Sequence, residues 1–250
     1  MSVAALLLGD SRFPAGGHAH SGGVEPAVTA GTVRDLETLE AFLRGRLRTA
    51  GLVAAGIAAC ACERAASVSG GPFWDDLDAE ADARTPSPAQ REASRRQGRA
   101  LLRAARVAWP EATGLLAIAA AVRARPGEAG PGSGRVTSDA ARGEYRGGPH
   151  HAIVLGAAAA AAGAGPGAAA RIAAYQAVAG PVSAAVRLLA LDPMRATGVL
   201  ARLTREIDEV AERGAAFAGG PPGDLPCASA PALDLLAEAH IRAEVRLFES

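Results

Sequence analysis

The stretch RFPAGGHAHSGGVE, residues 12–25, holds the residue types whose spacing could best support chemistry. It places four glycines, a proline, two histidines and a serine within fourteen positions near the start of the chain. Such a loop could cradle a phosphate, bind a metal ion, present a nucleophile or shape a surface for another protein. Each of these possibilities makes a different demand on the residues around it.

A metal site is one interpretation of this loop. His18 and His20 lie two positions apart, so an extended backbone would point both imidazoles the same way. Two imidazoles do not complete a metal site. Asp10, Glu25 or the same residues of a second subunit would have to supply further ligands. Without them, both histidines are surface or packing residues.

The phosphate and nucleophile interpretations fit the loop less well. The glycine pairs do not match the spacing of a phosphate-binding loop, and the chain contains no lysine. Ser21, in Ala-His-Ser-Gly-Gly, fits a relaxed nucleophile elbow, but that elbow needs a strand before the serine and a helix after it. No strand pattern precedes Ser21. We therefore interpret it as a turn serine.

The last twenty residues, PALDLLAEAHIRAEVRLFES, are a second candidate site. Leu247 and Phe248 stand close to the end, where chains ordinarily fray into polar residues. Either this end docks on its own fold or it contacts another protein. His240 lies at the edge of the apolar side of this segment, which is typical of a hydrogen-bonded packing residue.

The elements that must position these residues are predicted to be helices. Alanine dominates, β-branched runs are scarce, and apolar residues recur at spacings of three and four. This pattern predicts an all-α fold, with residues 1–250 forming a single globular helical domain of about eight to ten helices. The predicted segments include one that starts with a Thr32–Asp35 capping box and ends near Gly51, then 52–66, 73–84, 88–109, 111–125, and others starting at 149, 166, 193 and 231.

Two stretches between the candidate sites carry further predictions. Early in the 88–109 helix, Ser94, Gln97 and Gly98 form a small or polar stripe, which favours close approach of another helix. Residues 126–148 are rich in glycine, proline and serine and predict a mobile loop.

Composition excludes several classes of function. The 26 basic and 26 acidic side chains cancel, so no net field attracts nucleic acid or an anionic membrane. Three cysteines argue against a disulfide framework, and Cys60 and Cys62 would point apart on a helix. Residues 1–13 lack the basic leader of a secretion signal, and the apolar run 152–163 is too short to span a bilayer. We expect a cytoplasmic protein with neither nucleic acid nor membrane as partner.

Both candidate sites and the region between them resemble the urease accessory protein family UreF. The opening loop is similar to the family pattern L-P-x-G-G-F-x-Y-S-x-G-L-E, matching at Pro14, Gly16, Gly17, Ser21, Gly23 and Glu25. The end is similar to D-I-x-x-x-x-H-E and R-L-F-R-S, matching at Asp234, His240, Arg246, Leu247, Phe248 and Ser250. Residues 92–101 resemble E-x-S-x-Q-M-G-x-x-L, and Pro149-His150 and residues 183–188 are also similar. His18 and His20 replace an aromatic pair, Ile241 replaces an acidic residue and Glu249 replaces an arginine.

The resemblance implies an all-helical homodimer without chemistry of its own. It implies a scaffold or chaperone that binds the UreD (UreH) accessory protein and recruits the GTPase UreG, so that nickel is inserted into apo-urease. No cofactor would be tightly bound, and nickel would be in transit. Partner binding would fall on Pro14, Gly16, Gly17, Ser21, Glu25, Ser94, Gln97, Gly98, His240, Arg242, Arg246, Leu247 and Phe248, with Arg242 and Arg246 as hot spots. The alternative is a nickel-binding metallochaperone that uses the His18/His20 loop.

Overall fold

Helices account for nearly all of the regular structure. The computed structural model describes residues 3–10, 12–15, 17–67, 71–124, 148–243 and 247–248. Within these residues there are ten α-helices and no strand, which confirms the predicted all-α class. They are α1 (Val3–Gly9), α2 (Val24–Thr29), α3 (Leu36–Ala66), α4 (Gly71–Ala83), α5 (Pro88–Ala108), α6 (Thr113–Ala124), α7 (His151–Ala161), α8 (Pro166–Leu189), α9 (Pro193–Ala215) and α10 (Pro231–His240). The predicted loop 126–148 lies outside the described residues except for Gly148.

Side-chain caps start several of these helices. The Ser87 hydroxyl accepts from the Gln90 amide at 3.2 Å, and the Asp192 carboxylate accepts from the Met194 amide at 2.9 Å. Each is followed by a proline in the first turn, which confirms these two predicted starts. The predicted capping box, with Thr32 as the cap and Asp35 as its partner, was wrong by one helical turn. Asp35 is itself the cap, and its carboxylate accepts from the Thr38 amide at 2.8 Å.

Helix α3 differs from the prediction, which placed the end of one helix near Gly51 and the start of another at Leu52. The helix continues from Leu36 to Ala66 through one π-helical turn, Leu47–Gly51. Gly51 is buried, and a Cβ there would lie 3.4 Å from the Cβ of Ala177 in α8. The glycine therefore serves close packing and does not end the helix. Helix α6 also begins at Thr113, two residues later than predicted.

The core forms around α3, whose second half packs against α7, α8 and α9. Small residues allow these helices to approach closely. A Cβ on Gly156 would overlap the Ala58 carbonyl oxygen, and one on Gly214 would lie 2.7 Å from the Ala55 Cβ. The high alanine content therefore supports dense helix packing at these crossings.

Two helices, α3 and α8, are long and apolar enough to cross a membrane by length and composition alone. Core helices of globular proteins meet the same criterion. The most apolar windows of α3 and α8 are 61% and 50% buried inside the fold, which accounts for their apolar character.

Candidate functional site

The two ends of the chain meet at the carboxylate of Glu25, in the first turn of α2. One carboxylate oxygen accepts from the Leu247 amide at 2.7 Å, and the other accepts from the Phe248 amide at 2.8 Å. Glu25 is only 6% exposed, so these are charge-assisted bonds shielded from water. The sequence predicted no contact between these residues, which are 222 positions apart.

His240, the last residue of α10, completes this contact. Its Nε2 lies 3.2 Å from the Phe248 carbonyl oxygen and 3.4 Å from a Glu25 carboxylate oxygen. Because a carbonyl oxygen only accepts, Nε2 carries the hydrogen and donates it. His240 is 6% exposed, which confirms the prediction of a hydrogen-bonded packing residue.

The ring of Phe248 is held by a cation. The Arg187 guanidinium carbon lies 4.3 Å from the ring centroid, and Phe248 is 7% exposed. Phe248 therefore docks on the protein's own fold, which is one of the two alternatives predicted for this segment. Leu247 has its side chain outside, with 73% of the residue exposed. We call Glu25, Arg187, His240, Leu247 and Phe248 the terminal clamp.

The glycines of the opening loop shape the turn that leads to Glu25. Gly22 and Gly23 have φ values of 60° and 88°, in the left-handed region that favours glycine. A Cβ on Gly22 would lie 2.9 Å from Pro181 and 3.2 Å from the Arg46 guanidinium. Arg46 donates to the Ala177 carbonyl at 2.9 Å, and burial lowers the pKa of its guanidinium to about 10. The turn therefore rests directly on α3 and α8.

A second polar cluster lies where α4 and α5 meet the start of α7. Arg95 donates to both carboxylate oxygens of Asp78, at 3.1 and 2.9 Å, and to Asp82 at 2.7 Å. It also donates to the Gly148 carbonyl at 2.5 Å. The Nε2 of His150 lies 2.8 Å from the other oxygen of Asp82. Arg95, Asp78 and His150 are all buried, so this network fixes the entry of the chain into α7.

The predicted stripe on α5 faces the same point. The Ser94 hydroxyl accepts from the His151 amide at 3.2 Å and lies 3.0 Å from His150 Nδ1. A Cβ on Gly98 would overlap the Pro149 carbonyl oxygen, so the glycine permits this contact. The stripe therefore allows close approach, as predicted, although its neighbour is the segment that enters α7.

The opening loop also reaches this second cluster. A Cβ on Gly17 would lie 3.7 Å from the Gln97 side-chain nitrogen. The pKa of His151 is lowered to about 4, first by burial and then by the charge of His20. The loop thus approaches α5 at Gln97 on one side and leads to the terminal clamp on the other.

The structure places the other predicted site residues as follows. Pro14 and Arg242 are exposed, and Ser21 is fully buried. Gly16 and Arg246 lie outside the described residues. His18 lies in a short 3₁₀ turn, Gly17–Ala19, but its side chain is not among the described parts of the structure. No group of three or more His, Cys, Asp or Glu side chains in the described part of the chain could hold a metal ion. The metal role of His18 and His20 and the partner-binding roles stay predictions.

The sequence did not identify four residues that organise these clusters, which are Asp78, Asp82, Arg95 and Arg187. Asp78 and Asp82 are one helical turn apart, so their carboxylates share one face of an acidic helix. This spacing could have indicated a site for an arginine such as Arg95. Arg187 lies within a segment that resembles the family, but nothing in its spacing points to Phe248. Only the tertiary contact identifies its role.

Comparisons with known proteins identify the family of this chain. The family model described as UreF matches residues 33–204. The chain is 42% identical over 245 residues to the urease accessory protein UreF of Mycolicibacterium vanbaalenii, spanning 98% of this chain and 97% of the relative. It is 43% identical over the same lengths to the proteins of that name from Mycobacterium sp. (strain JLS) and Mycobacterium marinum. On this extent of similarity, the chain belongs to the UreF family of urease accessory proteins.

Proposed function

We propose that this protein is a non-catalytic scaffold in urease maturation. Together with a UreD/UreH-like accessory protein it recruits a UreG-like GTPase, so that nickel is inserted into apo-urease. The observation that carries the proposal is the terminal clamp, which joins the opening loop and the C-terminal segment, both of which resemble the family. The names of the similar relatives support the urease pathway.

The surface beside the terminal clamp has the composition of a protein interface. Leu235, Ile241 and Leu247 are 72%, 49% and 73% exposed, and Arg242 is also exposed. Exposed apolar side chains mark interaction sites when they form a patch, and arginine is enriched at binding hot spots. In this proposal Glu25, His240 and Phe248 hold the surface in shape, and Leu247 and Arg242 contact the UreD/UreH-like partner.

The burial of Ser21 supports a role without catalysis. Its side chain is 0% exposed, so a substrate could not reach the hydroxyl that the Ala-His-Ser-Gly-Gly pattern offered as a nucleophile. We further propose a cytoplasmic homodimer with no tightly bound cofactor, in which nickel is cargo.

The test is binding of the purified UreD/UreH-like protein to wild type and to a Leu247→Asp, Arg242→Glu double variant. We expect the variant to lose at least about tenfold in affinity, because its changes fall on exposed side chains at the proposed interface. Met194→Asp is the matched control, since Met194 is 84% exposed on α9. Equal affinities of the double variant and wild type would contradict the proposed surface.

A nickel-binding metallochaperone is a second candidate, and one observation favours it. The charge of His20 in the opening loop lowers the pKa of His151, so a further imidazole lies within electrostatic range of this loop. Equilibrium dialysis with nickel should then show weaker binding in both a His18→Ala, His20→Ala variant and a His151→Ala variant. Equal retention of nickel by all three proteins would rule out this site.

A further inference from the structure

Helix α5 concentrates positive charge in a chain whose total charge is balanced. Its 21 residues, Pro88–Ala108, include six arginines and a single glutamate. The whole chain has 26 basic and 26 acidic residues. The helix therefore has a local positive charge, which is balanced by acidic residues elsewhere in the chain.

Four of these arginines share one side of the helix, although the side chain of Arg99 is only 22% exposed. At about 100° per residue, Arg96, Arg99, Arg103 and Arg106 fall within an arc of about 80°. The buried residues Gly98, Leu101 and Ala105 lie on the opposite side. With a rise of about 1.5 Å per residue, the four positions extend over about 15 Å. We call these four residues the arginine face.

The residues of the arginine face differ in their ion pairing. The Glu92 carboxylate accepts from Arg96 at 3.0 Å and lies 3.5 Å from the Arg99 guanidinium. Arg103 and Arg106 are exposed, and neither has an ion pair with any residue in the described ranges. Beside them Val107 is 85% exposed, so a bare apolar side chain borders the charges.

The inward arginines of α5 behave differently. Arg95 is buried against Asp78 and Asp82. Arg91 donates to the carbonyls of Thr85 and Pro86 at 2.8 and 3.1 Å. Internal structure therefore accounts for the inward arginines, whereas no described contact accounts for Arg103 and Arg106.

We propose that the arginine face is a docking surface for a row of carboxylates on another folded protein of the maturation complex. The inference rests on the proposed function and adds a second contact region on a different helix from the terminal clamp. Guanidinium groups pair bidentately with carboxylates and are enriched at protein interfaces, where Val107 would add apolar contact. A partner presenting two carboxylates about one helical turn apart would match Arg103 and Arg106.

A protein partner fits better than a polyanion such as nucleic acid or an anionic membrane. The chain has no net charge, so it lacks the broad positive field that polyanion binding requires. Helix α4, which is joined to α5 by the Arg95–Asp78 ion pair, exposes Asp75 and Asp76. These carboxylates would repel an extended polyanion but not a localised acidic row.

The test compares charge reversal on this face with charge reversal elsewhere. The test variant carries both Arg103→Glu and Arg106→Glu. A second variant, with Arg103→Gln and Arg106→Gln, removes the charges without reversing them and is used if the first does not fold. The matched control is Arg195→Glu with Arg213→Glu, two exposed arginines of α9 that also lack an ion pair in the described ranges. Affinities for the UreD/UreH-like protein, the UreG-like GTPase and apo-urease are measured at low and high salt.

We expect the reversal variant to bind at least one of the three proteins about tenfold more weakly at low salt, with a flatter salt dependence than wild type. The control should stay within about twofold of wild type, and the glutamine variant should fall between them. If wild type binds and the reversal and glutamine variants bind equally well, this inference is wrong while the proposed function stands. If wild type binds none of the three, both are wrong. Selective loss of binding to a short single-stranded RNA or to phosphatidylglycerol vesicles, with unchanged protein affinities, would also overturn it.

Discussion

At the scale of single residues, Glu25 does the most to join distant parts of the chain. One buried carboxylate accepts two backbone amides of the C-terminal segment and lies against His240. Hydrogen bonds to a charged group contribute about 1.5–3 kcal/mol each, roughly twice as much as those between neutral groups. The position of the chain end should therefore depend strongly on this side chain.

Replacing Glu25 with glutamine should loosen the chain end. The amide keeps one acceptor oxygen and presents an NH₂ group to the second backbone amide, which leaves a buried donor unsatisfied. We expect a loss of about 1–3 kcal/mol in the free energy of unfolding by urea and faster tryptic cleavage after Arg242. Glu212→Gln, on the exposed side of α9, is the control and should change neither quantity. A Glu25→Gln protein as stable and protease-resistant as wild type would contradict the clamp.

Asp82 should make stability depend on pH in acid. Burial alone would raise the pKa of Asp82, but the hydrogen bond from His150 and the charge of Arg95 outweigh it and lower the pKa from 3.8 to about 2. A carboxylate whose pKa is lower in the folded state stabilises the fold above its unfolded pKa, and that stability is lost as the pH falls.

The measurement is the difference in unfolding free energy between wild type and Asp82→Asn as a function of pH. The pH-dependent part should be fully present above about pH 4 and should vanish as the pH falls toward 2. Asp82 is 42% exposed, so we expect on the order of 1 kcal/mol after solvent screening. Asp208→Asn, on an exposed ion pair of α9, should show a smaller pH dependence. A difference that does not change with pH would contradict the assigned pKa.

At the scale of elements, helix α5 and the entry to α7 fit together because Gly98 has no side chain. An added Cβ would overlap the Pro149 carbonyl oxygen and lie 3.0 Å from the His150 carbonyl carbon. Both atoms belong to the backbone, and His150 is also held by Asp82. The contact therefore cannot relax without moving the start of α7.

Gly98→Ala should destabilise the protein although alanine favours helix formation. The gain of about 1 kcal/mol in helix propensity is outweighed by overpacking against backbone, so we expect a net loss of about 1–3 kcal/mol in urea unfolding. Gly45→Ala is the control, and it should change the free energy of unfolding in the opposite direction. Gly45 is an exposed helical glycine, and nothing lies within 4 Å of the added Cβ. It should gain about 0.5–1 kcal/mol. Equal effects of the two substitutions would show that packing at Gly98 is loose.

At the scale of the whole molecule, the segment after α10 closes the fold. The Phe248 ring is buried against Arg187, and Glu238 of α10 accepts from the Ser87 hydroxyl at 2.5 Å and the Ala89 amide at 2.9 Å. The C-terminal region therefore connects to both α2 and the start of α5. Partner binding and folding share this region, so experiments must separate the two.

Deletion of residues 241–250 should keep the helical circular dichroism signal at low temperature but lower the Tm. Burial of a phenylalanine contributes about 1.5–3 kcal/mol, and the bonds to Glu25 are lost with it. We expect a decrease of several degrees in thermal unfolding, on the order of 2 kcal/mol or more. Leu247→Asp alters only an exposed side chain of the same segment and should leave the Tm unchanged. An unchanged Tm after deletion would mean that the end contributes nothing to the fold.

The sequence by itself determined the local features of this protein. Apolar spacing and alanine content predicted the all-α class, and the helix starts at Pro88 and Pro193 were predicted correctly because the caps there involve residues two or three positions apart. The resemblance to UreF was also visible in the sequence. Where local rules failed, as at Gly51, a distant helix was the cause, since the glycine accommodates α8 and does not end α3.

Only the tertiary structure decided how the candidate residues are used. The bonds from Leu247 and Phe248 to Glu25 span more than two hundred positions, and the Arg95–Asp82–His150 network joins three helices. Such contacts leave no periodic signal, because their partners are set by how the helices pack and not by their spacing along the chain. The two ends were therefore visible as separate motifs in the sequence, whereas their union at one buried carboxylate depends on the fold.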